Sequence, residues 1–375
     1  MKKLFFILAT LLVFTSCKKE FTITVKSNNA EWGSVSGSGT YAKGTTIPIE
    51  AIAKDGYTFV SWQDKNTENP RSIVVEANAT YTATFEKAYW FSVAKDKKVV
   101  FSPGNLQWSA TGGGSSATTH TVAGGGTAAG TWRFAPNQWD IIGENNKNIS
   151  SSYSGWIDLF GWGTSGYDNK SPYMTTTKAS DYGDGENNIS GTNYDWGVYN
   201  SIYNPKTNTT DAPGIWRTLT SEEWAYLLDV RNTTSGIRYA KATINGVCGL
   251  IIVPDNWSTS IYTLNNPNIT FANYSTNEIS VTDWTTLENA GAVFLPAAGF
   301  RNGDTKIEFG YSFLSETASR DAITIYNFGN SGEYWMTLSF LGEEAYILFF
   351  NSRGVQTLHE SRDYGRSVRL VRDVK

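Results

Sequence analysis

Cysteine and histidine are nearly absent, with two of each in 375 residues. Exported proteins usually pair their cysteines into disulfides; Cys17 and Cys248 offer no disulfide framework. Charge is also scarce, at 18% of residues against a usual value of about 25%. The net charge is −4, and it becomes −6 (29 − 35) if residues 1–16, with Lys2 and Lys3, are removed. Such a chain has no general basic face, which excludes a broad nucleic-acid-binding role. After residue 16 no apolar run approaches the roughly 20 residues that a membrane span needs, which excludes a polytopic membrane protein. No Gly-x-Gly-x-x-Gly opens a helix. The Gly112–Gly114 and Gly124–Gly126 runs lack a following Lys-Ser or Lys-Thr, so a phosphate cradle has no support.

Aromatic residues and glycine are abundant, with 14 Trp, 20 Tyr, 19 Phe and 35 Gly. Hydrophobic residues make up 40%, enough for a real core. Together with many Asn, Ser and Thr, this predicts short strands and elaborate loops rather than a helical protein. At roughly 150 residues per domain, the length predicts at least two domains.

The N-terminus reads as an address. Lys2 and Lys3 precede the apolar stretch Leu4–Phe14, which has signal-peptide length. Phe14-Thr15-Ser16-Cys17 resembles a bacterial lipobox of the looser kind found in Bacteroidetes-like lipoproteins. The resemblance implies cleavage after residue 16 and a diacylglyceryl-modified Cys17 carrying palmitate-type chains. Two or three chains suffice for stable anchoring, since each buried CH₂ contributes about 0.8 kcal/mol. Residues 17–20 then form a charged tether, and the expected location is the bacterial outer membrane or cell surface. A plain secretory peptide is the alternative.

Residues 21–87 have strand texture. Phe21–Val25 and Thr46–Ala53 alternate apolar and polar residues, with Pro48 favouring an edge position. Phe59–Trp62, Ser72–Glu76 and Thr80–Phe85 complete the set. Gly56-Tyr57-x-Phe59-x-x-Trp62 and Tyr81-Thr82-Ala83-x-Phe85 resemble the divergent internalin-type B-repeat of bacterial surface proteins. The resemblance implies a small all-β, β-grasp-like spacer or interaction module. Trp62 and Phe59 are expected in its core, because so small a domain has little else to bury.

The texture changes in residues 88–375. Phe91–Val93 and Lys98–Phe101 predict a hairpin, and Leu106–Trp108 and Trp132–Phe134 predict strands. Residues 111–130, rich in Gly, Ser and Thr, predict a mobile loop. Thr220 and Glu223 form a capping box before Trp224, Leu227 and Leu228, so a helix begins there. A second helix is expected over Asp283–Ala290, stopped by Gly291. Strands follow at Val293–Leu295, Tyr334–Leu338, Ala345–Phe350 and Val368–Val371. Cys248 lies in an apolar strand-like run and is expected to be buried and inert.

Trp216–Trp224, Phe294–Arg301, Gly332–Trp335 and Gly365–Val371 resemble the formylglycine-generating-enzyme superfamily. They look closest to its non-enzymatic relatives, the Fibrobacter-type major paralogous domains of surface lipoproteins. The resemblance implies an α+β, C-type-lectin-like fold with long irregular loops, here a 143–214 insertion. That enzyme chemistry needs a cysteine pair near the C-terminus; Glu333–Arg369 contains none, so no enzyme activity is expected.

Two ligand readings remain. Asp181, Asp184 and Glu186 concentrate hard oxygens, which suits calcium, although the spacing departs from an EF-hand; a solvated loop is the favoured reading and calcium the alternative. Otherwise no cofactor is expected. The 143–214 loop holds Trp156, Trp162, Tyr167, Tyr182, Tyr194, Trp196 and Tyr199 amid Asn and Asp. Such a loop needs its own small core, yet seven aromatics leave some for a surface, with Trp156, Tyr182 and Trp196 the candidates to line it. The function expected is a lipid-anchored binding or adhesion protein for glycan or host and surface protein ligands. A structural component of a surface appendage, with a long uncovered sheet edge as its mark, is the second class. A hydrolase with an unrecognised carboxylate pair is the third.

Overall fold

The computed structural model describes residues 19–54, 56–183, 187–301, 307–308 and 330–374. Cys17, Asp184 and Glu186 lie outside them. The chain divides into two compact units, the first ending at Ala88 and the second beginning at Tyr89. It is predominantly β, with several small sheets.

The first unit contains β1 (Glu20–Ser27), β2 (Gly33–Ser36), β3 (Gly39–Ala42), β4 (Thr46–Ala53), β5 (Tyr57–Trp62), β6 (Arg71–Val74) and β7 (Ala79–Lys87). They form two sheets in the orders β3-β1-β7-β5 and β2-β4-β6. Alternation along β4 buries Ile47, Ile49 and Ala51. Pro48 nevertheless sits in the middle strand of its sheet. The register shows why this is tolerated: β6 covers residues 46–49 and β2 covers residues 50–53, so each half of β4 is an edge on one side. Trp62 is fully buried, and its indole N–H donates to the Glu68 carbonyl at 2.9 Å. Phe59 packs beside it, with ring centroids 5.4 Å apart.

The second unit opens with β8 (Phe91–Ala94), β9 (Lys97–Phe101), β10 (Leu106–Ser109), β11 (Thr119–Thr121), β12 (Thr127–Ala129) and β13 (Thr131–Phe134). Helix α1 (Trp196–Tyr199), β14 (Ile202–Asn204), β15 (Thr209–Asp211), β16 (Arg217–Thr218) and α2 (Ser221–Ala225) follow. Next come β17 (Tyr239–Ile244), β18 (Val247–Ile252), β19 (Glu278–Ile279), α3 (Val281–Asn289) and β20 (Val293–Pro296). The chain closes with β21 (Phe300–Arg301), β22 (Ile307–Glu308), β23 (Ser331–Phe340), β24 (Glu344–Asn351), β25 (Gly354–Ser361) and β26 (Leu370–Asp373).

Both expected helices form. Thr220 caps α2 in a full capping box with Glu223, and a π-helical turn continues it to Val230, burying Trp224, Leu227 and Leu228. Ser280 caps α3, and Gly291 ends it at φ +85°, a conformation suited to glycine. Helix is otherwise brief among the described residues, so this unit is richer in strand than an even α+β mixture. Residues 111–130 depart from expectation, since β11 and β12 pair as a hairpin within them. Thr118 and Thr131 bond across its base at 2.7 Å, and a bridge from Val122 to Asn200 holds its far end.

Three cores alternate with two sheets. Along β23 and β24, Tyr334, Met336, Leu348 and Phe350 enter one core, while Trp335, Ala345, Ile347 and Phe349 enter another. Period-two alternation in a strand buried on both faces requires this division. The sheet β19-β17-β18-β20 repeats it: Tyr239, Leu250, Ile252, Val293 and Leu295 join the first of those cores, whereas Ala240, Ala242, Ile251 and Phe294 face a third.

The isolated segment 19–88 is expected to fold and to give a dispersed amide spectrum. Trp62→Ala should lower its stability by about 3–5 kcal/mol in urea unfolding. A disordered wild-type fragment, or a tolerant Trp62 site, contradicts this packing.

Candidate functional site

The long loop is built inward before it presents anything outward. Phe160, Trp162, Tyr194 and Trp196 all lie in the second core. Trp162 donates to the Met336 carbonyl at 2.8 Å, and Trp335 donates to the Phe160 carbonyl at 2.6 Å. Two indoles thus tie the loop to β23.

Most of the expected surface aromatics are therefore corrected. Trp196 is fully buried, because Asp195 caps the short helix α1 and turns the indole into the second core. Tyr182 is also fully buried: its ring lies against Gly161 and its hydroxyl donates to the Thr176 carbonyl at 2.9 Å. Trp156 stays half-buried at the surface. The Arg133 guanidinium stacks 3.7 Å from its ring centre, however, and so covers one of its faces. Asp181 accepts from the Thr176 hydroxyl at 3.0 Å and pairs with Lys178 at 3.5 Å. Among the described residues no group of three or more His, Cys, Asp or Glu side chains is placed to hold a metal ion.

The loop does present Tyr167, which is 36% exposed. Its turn is held open by three left-handed residues, Gly166 at φ +97°, Asp168 at +47° and Asn169 at +63°. Left-handed non-glycine residues are uncommon, and two in succession store local strain. Hydrogen bonds hold the turn in place. Gly166 N–H donates to the Lys170 carbonyl, Lys170 N–H donates to the Tyr167 carbonyl, and Tyr167 N–H donates to the Ser165 hydroxyl. The Ser165 hydroxyl donates to Asn193, and Asn200 donates to the Ser165 carbonyl. Tyr167 meets Tyr194 and Tyr199 edge to face at 5.2 and 5.3 Å, and the Tyr194 hydroxyl donates to Asp168 at 3.2 Å. The result is a rigid tip of tyrosine rings beside a carboxylate and an amide. Its sequence signal is Gly166-Tyr167-Asp168-Asn169, where turn residues flank an aromatic and force it outward.

Other reactive groups have structural partners. His120 bonds the Gly130 carbonyl and Asn200 at 2.9 and 2.7 Å. Glu223 serves the α2 cap and pairs with Arg217 at 2.7 Å and Lys97 at 2.8 Å. Cys248 is half-buried rather than buried. Burial pushes its thiol pKa up, away from a reactive thiolate, and the Thr243 hydroxyl lies 3.8 Å away.

Two buried carboxylates secure the loop. Asp158 accepts from Ile142 N–H at 2.9 Å and the Asn146 amide at 2.8 Å. Asp195 accepts from Thr218 N–H, the Thr218 hydroxyl and Gly197 N–H at 2.9, 3.0 and 3.3 Å. Burial outweighs these bonds and pushes each carboxyl up to about 6. A carboxyl raised above its unfolded value of 3.8 stabilises the fold most at low pH, and that stability is lost as pH rises through about 6. The opposite limb lies lower. Burial raises Glu223 and Asp373, but their bonds to Arg217 outweigh it and hold both below their ordinary values. The second unit should therefore gain stability on acidification from pH 7.5 to 5, by about 1 kcal/mol per group, and its melting temperature should rise accordingly. Asp158→Asn should flatten that slope. A flat wild-type profile, or an unchanged slope in the variant, contradicts the assignment.

Residues 23–89 match the family model described as the divergent InlB B-repeat domain. No curated protein matches the chain, and no solved structure does.

Proposed function

We propose that this chain is a lipid-anchored protein of the bacterial cell envelope whose second unit binds glycan or protein ligands through the tyrosine tip of its long loop. The observation that carries the reading is Tyr167, held outward by a strained, hydrogen-bonded turn with Asp168 and Asn169 beside it. Aromatic faces stack on the apolar faces of sugars, while carboxylates and amides satisfy hydroxyls. A preformed tip loses little conformational entropy on binding. The first unit supports the surface setting, since the family it matches is a bacterial surface-type repeat. Anchoring through Cys17 is supported by the order Lys2-Lys3, apolar run, Cys17. No helix among the described residues is long and apolar enough to cross a membrane.

The role proposed is binding rather than catalysis. Glu333–Arg369 contains no cysteine, and the superfamily resemblance is to non-enzymatic members. A part in a surface assembly is the second reading. One observation favours it: β25 is an eight-residue strand at the end of its sheet.

A glycan and host-protein binding screen tests the first reading. Any hit should weaken at least tenfold with Tyr167→Ala/Tyr199→Ala, while the melting temperature stays within a few degrees. Trp196→Ala should instead destabilise the fold, by about 3–5 kcal/mol. Wild-type binding by the double variant places the ligand elsewhere. For the anchor, Cys17→Ala should abolish fatty-acid labelling and release the chain from membranes; retention of an unlabelled variant contradicts it.

A further inference from the structure

β25 carries the longest uncovered edge in the second unit among the described residues. It follows β24 through the two-residue turn Ser352-Arg353 and pairs with it over eight positions, from Asn351–Gly354 to Glu344–Ser361, without a register shift. The hydrogen-bonding phase is fixed at both ends. A two-residue turn makes Asn351–Gly354 the bonded closing pair. At the other end, Arg362 N–H continues the ladder to the Glu343 carbonyl at 3.0 Å. Even-numbered residues therefore bond to β24, and odd-numbered residues aim their N–H and C=O groups outward. The Ser361 carbonyl agrees, accepting from Tyr364 N–H and Arg366 outside the sheet. The outward backbone groups of Val355, Thr357 and His359 take part in no hydrogen bond of the described structure.

Natural edges are usually blunted by proline, lysine, a bulge or a covering segment. Gly354-Val355-Gln356-Thr357-Leu358-His359-Glu360-Ser361 has no proline, no lysine and no bulge. An edge this long and regular is a template for another strand.

We propose that β25 pairs antiparallel with β25 of a second copy of this chain, joining two sheets across a two-fold axis. The sequence is self-complementary in one register. With the axis at Leu358, each Thr357 faces the partner copy's residue 359 as a bonded pair, and each such pair exchanges two N–H···O bonds. Leu358 then meets its own symmetry mate at the closely spaced position, and Gln356 faces residue 360 of the other copy. Polar meets polar at residues 356, 357, 359 and 360 and apolar meets apolar at Leu358, while Val355, which packs against the first core, faces residue 361 of the other copy. Leu358 is half-buried and already packs against the second core, so its exposed side supplies the apolar contact. Sliding one copy by two residues sets Leu358 against Gln356 or against Glu360, which exposes the mismatch and disfavours other registers. The interface is isologous, as two-fold pairing requires, and it closes at two copies. It uses residues apart from the tyrosine tip and does not depend on the ligand reading.

The test uses the full chain bearing Cys17→Ala, purified in detergent and followed by sedimentation equilibrium up to about 100 µM. A monomer–dimer equilibrium is expected, with the Thr357 and His359 amides protected from hydrogen exchange. Thr357→Pro removes only an outward N–H and should abolish the dimer at unchanged melting temperature. Thr357→Lys, which places charge on the edge, should weaken it at least tenfold and serves if the proline variant misfolds. In a background that also carries Cys248→Ala, Leu358→Cys should form an intermolecular disulfide on mild oxidation. A monomer at every concentration overturns the proposal. So does a dimer that persists in a folded Thr357 variant, or a β25 edge protected only when an unrelated extended peptide is added.

Discussion

The second unit depends on one buried ion pair. Arg366 and Glu333 are 1% and 3% exposed and meet at 2.7 Å. The guanidinium also lies over Trp335 at 4.8 Å, Tyr364 at 5.3 Å and Phe300 at 5.5 Å. The backbone of Arg366 exchanges two hydrogen bonds with Phe160, each 2.9 Å. One residue thus joins the C-terminal strap, the central sheet and the long loop. The attachment is not free of strain. Burial pushes the Glu333 carboxyl up despite the arginine beside it, so desolvation outweighs the pairing for that group.

That pin explains why a loop of some seventy residues, polar by composition, stays ordered where it is described. Its aromatics do not form a separate core; they enter the one that Trp335, Ile347 and Phe349 supply from the sheet. Arg362 adds a second fastening, lying 4.4 Å from the centre of the Trp162 ring while its carbonyl accepts from Trp162 N–H at 2.9 Å. Once these aromatics are spent on attachment, little of the loop remains for a ligand. The tip at Tyr167 is the part that the turn forces out, and the edge of β25 is the part that the sheet leaves unpaired.

Local signals were legible wherever the chemistry is local. The Thr220–Glu223 capping box, the Gly291 stop and the alternation through β1 and β4 each act within a few residues, and each appears in the structure. The burial of Tyr182 and Trp196 was not legible, because an irregular loop has no period from which to read a face. Trp162, for example, finds its partner Met336 at a separation of 174 residues. β25 was missed for a related reason: Val355 packs against the first core and Leu358 against the second, each only half-buried, with Gln356 and Thr357 exposed between them, so no apolar alternation marks the strand. The buried arginines ran against composition, which assigns Arg to the surface. Residues 365–371 are all buried, Arg366 and Arg369 included, so no alternation in that segment marks the arginines.

The long loop is pinned to the sheet through Arg366 and Glu333, and a double-mutant cycle measures that coupling directly. Arg366→Met, Glu333→Leu and the double variant would be compared by urea unfolding of the second unit. Arg366→Met strands the buried Glu333, and Glu333→Leu leaves the buried Arg366 with only the more exposed Glu360 at 3.6 Å, so each single change should cost about 3–5 kcal/mol. The double variant should cost well under the sum, leaving a coupling of several kcal/mol. Single costs below about 1 kcal/mol, or strict additivity, would show that the loop is held by packing alone and contradict the account.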